Sequence, residues 1–313
     1  MKIIYTSCTR FEAFNKQPNW NDIYDQDPDY LFLLGDNIYM DFGVKRFSKE
    51  PNGYPSKISI SDFEKIMRKK YENQFEVPEF KRLVDKMKEK NGFYAIWDDH
   101  DFAWNNVSGS LVVKEKKEIS RNLFHEFTNN CSTNYPNTYY HIDTPEARVI
   151  FIDNRYDSEP AGTKNKLISN EQFSFIKQKL DHNLSYTILC GGLTLTKGSE
   201  NWASYPNQLE ELCRLLTEKE KVVFLAGDIH KNIFVKPSKL KNSELLTPPQ
   251  LISSGMYVNY LGLGVPFDNR KNWAMLEINE NQFEVSFFNR FGKQKIKSRT
   301  ATSWFKENYL NKI

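Results

Sequence analysis

Four short apolar runs in this chain are each followed by a cluster of acidic, aromatic or sulfur-bearing polar residues. The runs comprise residues 2–5, 30–34, 93–96 and 222–226. They are rich in Ile, Val, Leu and Phe, as buried strands are. The clusters that follow them are Thr6-Ser7-Cys8, Gly35-Asp36-Asn37-Ile38-Tyr39, Trp97-Asp98-Asp99-His100-Asp101 and Gly227-Asp228-Ile229-His230. Because strands of an α/β protein end at a common edge of the sheet, the polar groups of these clusters should converge there.

The segments between the runs have helical periodicity or strand character. Capping boxes at Ser61 and Ser169 predict helix starts, and Pro78 divides the first helical stretch in two. Further helices are predicted over residues 114–128 and 206–216, and further strands over residues 138–142, 148–152, 186–190, 250–253, 273–278 and 282–288. Strands made of continuous apolar runs are buried on both faces of their sheet, so helices must cover the outer face of each sheet. The sequence therefore predicts an α/β fold of two mixed sheets flanked by helices, as one domain over residues 1–313.

Composition limits the partners and the setting that this chain suggests. The 43 basic and 40 acidic residues leave a formal net charge of +3, so no dedicated nucleic-acid surface is visible. No apolar stretch approaches the ~20 residues that cross a bilayer, and no signal peptide precedes the first strand. Cys8, Cys131, Cys190 and Cys213 include no closely spaced pair. We expect a cytoplasmic protein without a membrane segment, and oligomeric state is left open.

The first two clusters offer ligands for a pair of metal ions. Asp36 could place one carboxylate oxygen on each of two cations, and Tyr39 could bind one of them as a phenolate. An ordinary phenol has a pKa near ~10, so its deprotonation requires a strongly polarising ion such as Fe³⁺, which also suits a Cys8 thiolate. The alternatives are that Asp36 shapes a turn and that Cys8 is a small buried hydrophobe, as the other three cysteines are expected to be.

The later clusters complete this hypothesis. Three carboxylates surround His100, and a dication would neutralise their repulsion, so Asp99 is the candidate ligand of a second metal ion. His100 and Asp98 are candidate catalytic residues, with His100 able to bind phosphate oxygens or protonate the leaving alkoxide. Asp228 suits the second ion, and His230, on the same side of an extended segment, suits the iron. The alternative for residues 98–101 is a solvated loop with a capping aspartate.

Arginine and the remaining histidines carry weaker signals. Arg155, directly after a predicted strand, could clamp a phosphate through two of its oxygens, or could form an ordinary ion pair with Asp153 or Asp157. The histidines without acidic neighbours at ligand spacing are expected to be structural. They are His125, His141 and His182.

At these clusters the chain resembles the metallophosphoesterases, specifically the PhoD-like alkaline phosphatases and phosphodiesterases. The matching motifs are Ser7-Cys8, Gly35-Asp36-Asn37-Ile38-Tyr39, Trp97-Asp98-Asp99-His100-Asp101 with Asn105 and Asn106, Gly227-Asp228-Ile229-His230, Ile152-Asp153-Asn154-Arg155 and Ser253-Ser254-Gly255. The resemblance implies a four-layer α/β/β/α sandwich holding Fe³⁺ and a divalent cation, with Ca²⁺ favoured over Mn²⁺ or Zn²⁺. By the same resemblance, Cys8, Tyr39 and His230 bind the iron, Asp36 bridges, and Asp99 and Asp228 hold the second ion.

The hypothesis is therefore a metal-dependent phosphoester hydrolase, either a phosphodiesterase or an alkaline phosphatase, in which a metal-bound hydroxide attacks phosphorus in line. Two alternatives are kept. One is a metal-dependent hydrolase of carboxylic esters, because the segment Cys190-Gly191-Gly192-Leu193-Thr194 stands where the wider superfamily supplies another metal-binding histidine and contains none. The other is a non-catalytic scaffold that retains the fold, which the dense acidic clusters disfavour because idle buried carboxylates are costly.

Overall fold

The computed structural model describes residues 1–41, 54–128, 137–241, 243–258 and 270–311, except for the side chains of residues 295 and 296. Cys131, expected to be a core residue, lies outside the described residues.

The first sheet joins the amino-terminal strands of the chain to a carboxy-terminal meander. Its strands are β1 (Lys2–Thr6), β2 (Tyr30–Leu34), β3 (Phe93–Ile96), β10 (Trp273–Asn279), β11 (Gln282–Asn289) and β12 (Gly292–Lys293). They lie in the order β12-β11-β10-β1-β2-β3. Strands β1, β2 and β3 are parallel, whereas β10 pairs with β1 and β11 in antiparallel fashion. The carboxyl ends of β1, β2 and β3 therefore lie side by side.

The second sheet has a parallel centre and antiparallel edges. Its strands are β4 (Tyr140–Asp143), β5 (Ala147–Ile152), β6 (Tyr186–Gly191), β7 (Val222–Ala226), β8 (Asn232–Val235) and β9 (Gln250–Ser253), in the order β4-β5-β6-β7-β9-β8. Strands β5, β6, β7 and β9 are parallel, while β4 and β8 pair antiparallel to their neighbours at the two edges.

Eight α-helices and three shorter helical turns occur among the described residues. The α-helices are α1 (Trp20–Tyr24), α2 (Ile60–Phe75), α3 (Pro78–Glu89), α4 (Asp99–Phe102), α5 (Lys114–Thr128), α6 (Asn170–Lys179), α7 (Pro206–Thr217) and α8 (Lys295–Phe305). The turns are 3₁₀ segments at Gly109–Leu111 and Trp202–Ser204, and a π-helical segment at Lys306–Leu310. In this part of the chain, no helix combines the length and apolar character needed to cross a membrane.

Local chemistry accounts for most helix boundaries. Pro78 and Pro206 begin α3 and α7, where a missing backbone N–H costs nothing. Ser169 caps α6 by accepting a hydrogen bond from the Gln172 N–H, as predicted. The predicted cap at Ser61 is wrong, because α2 begins earlier: the Ser59 hydroxyl accepts the Asp62 N–H at 3.0 Å.

The helices cover the outer faces of two sheets that pack face to face. One core brings inward residues of both sheets, such as Ile3 and Val149, together with apolar residues of α2, α3 and α5. A second core packs the other face of the second sheet, including Ile150, against α6 and α7. The predicted α/β architecture of two mixed sheets flanked by helices is confirmed, with the polar clusters at the carboxyl ends of β1, β2, β3 and β7.

Candidate metal centre

Backbone hydrogen bonds tie the strand ends of the two sheets into one rim. The Cys8 N–H donates to the Gly35 carbonyl at 3.1 Å, which joins the ends of β1 and β2. The Gly255 N–H donates to the Ser7 carbonyl at 3.1 Å, which joins β1 to the end of β9 in the other sheet. All four polar clusters predicted from the sequence thus belong to one edge of the sandwich.

Four of the six predicted metal ligands have left-handed backbone conformations. Their φ angles are 63° at Cys8, 53° at Asp36, 65° at Asp228 and 52° at His230. Such angles are unfavourable for residues with a Cβ and cost on the order of 1 kcal/mol or more each. Backbone strain that persists in a fold commonly marks a functional site, because the surrounding structure must enforce it.

One compact group of side chains forms around the Oδ2 atom of Asp36. The Cys8 Sγ and the Tyr39 hydroxyl each lie 3.2 Å from this oxygen. The Tyr39 hydroxyl is also 3.4 Å from Nε2 of His230. Ligand atoms of Cys8, Asp36 and His230 all lie within 4.8 Å of one another, a separation that one cation could span. These are the residues predicted to bind iron together with the predicted bridge.

Asp36 also belongs to a second group. Ligand atoms of Asp36, Asp99 and His100 lie within 4.8 Å of one another, and all three residues are buried. Because Asp36 is common to both groups, its carboxylate lies between two places that could each hold a cation. The backbone N–H of Asn106 donates to Oδ2 of Asp99 at 2.5 Å and fixes the orientation of that carboxylate.

Asp228 reaches the same rim by a less direct arrangement. Its backbone carbonyl lies 3.7 Å from the Cys8 Sγ, and its carboxylate is not a member of either compact group among the described residues. Burial raises the pKa of Asp228 to about 7, and the nearby charge of Asp99 adds to the shift. The Asp228 carboxylate is therefore close enough to interact electrostatically with Asp99, but it does not belong to the compact group that Asp99 forms with Asp36 and His100.

His100 is held by a residue that the sequence reasoning missed. Its Nδ1 lies 2.6 Å from Oδ1 of Asp41, and its ring packs on the Tyr39 ring with centroids 4.1 Å apart. Burial alone would lower the pKa of His100, but the charges of Asp99 and Asp41 outweigh it and raise the pKa to about 9. Asp41 lies two residues after Tyr39, and this short distance from a predicted ligand could have marked it as a candidate site residue in the sequence.

Arg155 is buried among carboxylates and does not face open solvent. Its Nε donates to Oδ1 of Asp98 at 2.5 Å, and one terminal nitrogen lies 2.9 Å from Oε2 of Glu200. Neither predicted ion-pair partner holds the guanidinium: Asp153 accepts the Arg155 backbone N–H instead, at 2.8 Å. Glu200, in the loop before α7, was missed because nothing in its local sequence distinguishes it.

Glycines bring the backbone of the second sheet against Asp98. A Cβ built on Gly192 would lie 2.5 Å from Cγ of Asp98, and one built on Gly191 would lie 2.8 Å from Oδ1 of Asn154. A larger side chain at either position would force these groups apart. Packing against Asp98 and Asn154 therefore leaves no room for a side chain at Gly191 or Gly192.

The chemistry of these donors fits bound cations. Burial raises the pKa of Cys8 to about 12, and it raises the pKa values of Asp36 and Tyr39 well above their usual ranges. Oδ2 of Asp98 is buried and has no hydrogen-bond partner in the described part of the chain. A bound cation would lower these raised pKa values, because it stabilises the thiolate, phenolate and carboxylate forms of the ligands.

The other histidines and cysteines that the structure describes lie outside both groups. His125, His141 and His182 each have a pKa lowered first by burial, which suits neutral structural side chains. Cys190 and Cys213 are buried. Ser254 is a further contact of the centre: its hydroxyl lies 3.1 Å from the Cys8 Sγ and accepts the His230 N–H at 3.1 Å.

Comparisons with known proteins find similarity in part of the sequence and in the fold. Residues 3–137 match the family model of the PhoD-like phosphatases. A solved structure of PhoD is similar to 95% of this chain and 72% of its own, with a TM-score of 0.69 and 15% identity. No curated protein matches the chain.

Two further solved structures share the fold at lower similarity. A purple acid phosphatase, PPD1 from yellow lupin (Lupinus luteus) seeds, has a TM-score of 0.52 at 11% identity, over 92% of this chain and 51% of that one. A dimetal phosphatase from Danio rerio has a TM-score of 0.50 at 11% identity, over 95% of this chain and 97% of that one. At such identities these likenesses establish the fold.

Proposed function

We propose that this chain, whose residues 3–137 match the family model of the PhoD-like phosphatases, is a phosphoric ester hydrolase that cleaves a phosphodiester or phosphomonoester at a dinuclear metal centre. One observation carries this proposal. The buried carboxylate of Asp36 is shared by two groups of ligand atoms, each compact enough for one cation. Two-metal hydrolases hold their ions ~3.5–4 Å apart, and a shared carboxylate is suited to that spacing.

Within the proposal, Cys8, Tyr39 and His230 hold Fe³⁺, Asp36 bridges, and Asp99 and Asp228 hold a divalent cation. Ca²⁺ is favoured for the second site because its donors are oxygens, with Mn²⁺ and Zn²⁺ as alternatives. When bound, the cations would lower the pKa of a water molecule and offset the charge of the phosphate. The thiol and phenol, whose pKa values burial raises, would act as ligands once deprotonated.

His100 is placed to supply a proton. Its Nδ1 is engaged by Asp41 at 2.6 Å, which leaves Nε2 as the ring nitrogen for substrate. The charges of Asp99 and Asp41 raise the pKa of the imidazole and so favour its protonated form. It would hydrogen-bond a phosphate oxygen and protonate the oxygen that leaves. Asp41 holds the ring in the required orientation.

Arg155 and Asp98 act in this proposal as positioning residues. The guanidinium is occupied by Asp98 and Glu200, so a phosphate would have to displace a carboxylate to reach it. Its positive charge instead offsets the carboxylates of Asp98, at 2.5 Å, and Asp99, at 3.8 Å. A direct phosphate clamp by Arg155 is therefore not part of the proposed mechanism.

The experiment is a substitution that spares the size of the bridging side chain. Asp36→Asn should reduce hydrolysis of a chromogenic phosphodiester by roughly a hundredfold or more, because the amide cannot bridge two cations. Elemental analysis should find iron and a divalent metal in the wild type and less of both in the variant. Asp25→Asn, at an exposed position after α1, is the matched control.

Retained turnover in Asp36→Asn, or an active wild type without iron, would contradict the assigned roles. A matched chromogenic carboxylic ester tests the remaining substrate class.

A further inference from the structure

A group of cationic side chains that are distant in the sequence lies beside His230. Lys231 follows His230 directly, and the Asn272 side chain, next to Lys271, donates to the His230 carbonyl at 3.3 Å. The Arg290 N–H donates to the Arg270 carbonyl at 2.9 Å, which adds the end of β11 to the group. We call this surface the basic rim and define it as Lys231, Arg270, Lys271, Arg290, Lys293 and Lys297.

Asn232 joins the rim into one surface. Its side chain donates to the Phe288 carbonyl at 2.6 Å, and its own carbonyl accepts Nζ of Lys297 at 2.5 Å. Burial lowers the pKa of Lys297, and the charges of Lys231 and Arg270 lower it further. Lys231 and Arg270 are therefore close to Lys297, and the three cations form one positively charged surface.

The sequence itself concentrates this charge. Residues 290–299 contain five basic residues and no acidic ones. The carboxylates of Glu277 and Glu284 lie opposite each other toward the other end of β10 and β11. The small net charge of the whole chain conceals this local excess, because the basic residues of the rim come from three separate segments.

An exposed aromatic ring lies within the rim. Phe291, in the turn between β11 and β12, is 80% exposed, and the Arg290 guanidinium lies 4.6 Å from the centre of its ring. Phe291 follows Phe288 by three residues, roughly 10 Å of extended chain, so it is near the Asn232 junction. Cations beside a solvent-facing aromatic ring are the usual means of binding single-stranded nucleic acid, in which the ring stacks on a base.

We propose that the basic rim binds a single-stranded polynucleotide, stacks one base on Phe291 and leads its phosphodiester backbone to the metal centre. This inference rests on the proposed function and specifies its substrate class. Hydrolysis would add water across one P–O bond, leaving a phosphate on one fragment and a protonated hydroxyl on the other. The charge of the rim complements the backbone, and the ring selects for bases.

The test compares three labelled ligands by fluorescence anisotropy with the metal-loaded protein. They are a single-stranded oligothymidylate, an abasic oligomer with the same phosphodiester backbone, and a duplex of equal length. We expect the single strand to bind most tightly. Its binding constant should fall as salt rises, and a plot of log K against log salt should have a slope of about −0.7 for each phosphate contacted. A gel run after each titration verifies that the ligand is intact.

Two variants separate the ring from the charges. Phe291→Ala should weaken binding of the oligothymidylate by roughly fivefold or more and leave the abasic oligomer unchanged, because stacking is lost. Lys293→Ala should weaken both and reduce the salt dependence by about one phosphate contact. The control is Lys81→Ala, since Lys81 lies in α3, is paired with Glu76 and is not in the rim.

Equal binding of the abasic and thymidine oligomers, unaffected by Phe291→Ala, would overturn the nucleic-acid assignment. Tighter binding of the duplex would do the same. Wild-type protein that hydrolyses a small chromogenic diester but binds no oligomer would refute this inference alone. Protein that binds the oligothymidylate and hydrolyses no phosphoester would support the rim and refute the proposed function.

Discussion

Among single residues, Arg155 carries the only guanidinium that the described residues place against the carboxylates of the centre. Its Nε and one terminal nitrogen reach Asp98 and Glu200 at once, at 2.5 and 2.9 Å. A planar, forked cation can make both contacts, whereas the point charge of a lysine cannot. Arg155 and Asp98 are buried and Glu200 is half-buried, so these ion pairs should contribute more to stability than a surface ion pair would.

Arg155→Lys should therefore lower the free energy of unfolding by about 2–4 kcal/mol, because at least one carboxylate is left buried without its partner. Urea denaturation of the wild type, Arg155→Lys, Glu200→Gln and the double variant forms a double-mutant cycle. We expect a coupling energy of about 1 kcal/mol or more between the two positions. Strictly additive losses would show that the Arg155–Glu200 contact contributes nothing to stability.

The residues that sequence reasoning missed share a physical cause. Asp41 and Glu200 contribute through contacts with other candidate residues, and such contacts depend on the path of a loop. Cys8, Asp36, Asp99 and His230 could be predicted because each follows an apolar strand, and parallel strands bring their ends together. The position of a strand can be predicted from local sequence, whereas the partners of Arg155 depend on the tertiary fold.

Among the helices and strands, those that could be predicted have a strong periodicity or a proline in their local sequence. The helix over Lys114–Thr128 and the division at Pro78 follow from periodicity and from the missing proline N–H. The short strand β8 and the cationic helix α8 were missed, because a four-residue edge strand and a basic segment carry little hydrophobic pattern. Tertiary packing against β11 supplies what the α8 sequence lacks.

Helix α5 contains a histidine whose neutral form is part of the packing. Burial, and then the charge of Arg121, lowers the pKa of His125 to about 4. An unfolded chain takes up the proton near pH ~6.5, so stability from this group is complete above that pH and is lost as the pH falls toward 4. Because the side chain is partly exposed, the loss should be only about 1–2 kcal/mol.

Urea midpoints at pH 7.5 and pH 4.5 for the wild type and His125→Gln would measure this effect. The wild type should lose more stability than the variant on acidification, and the difference isolates His125 because all other titrating groups are common to both proteins. Equal losses would mean that His125 titrates normally in the fold.

For the molecule as a whole, the proposed centre joins the two sheets. Cys8, Asp36 and Asp99 follow strands of the first sheet, whereas Asp228 and His230 follow β7 of the second. A cation bound between them would link the two sheets at their shared rim. Ligand binding to the folded state alone stabilises it by mass action, by ~4 kcal/mol at a thousandfold excess over Kd.

Removal of metal with a chelator should therefore lower Tm by several degrees, and restoring iron and a divalent cation should recover it. Differential scanning calorimetry on chelated and reloaded protein would measure the shift. Asp36→Asn should show little difference between the two states, because its bridge is lost. An unchanged Tm in the wild type would argue against a metal link between the sheets.

The left-handed conformations at Cys8, Asp36, Asp228 and His230 have an evolutionary consequence. Glycine accepts these angles without penalty, so replacing any of the four would relax the backbone while removing a ligand. Selection for a sturdier fold and selection for chemistry therefore pull these positions in opposite directions. A descendant freed from the need to hydrolyse would be expected to drift toward glycine there first, ahead of any change in its sheets.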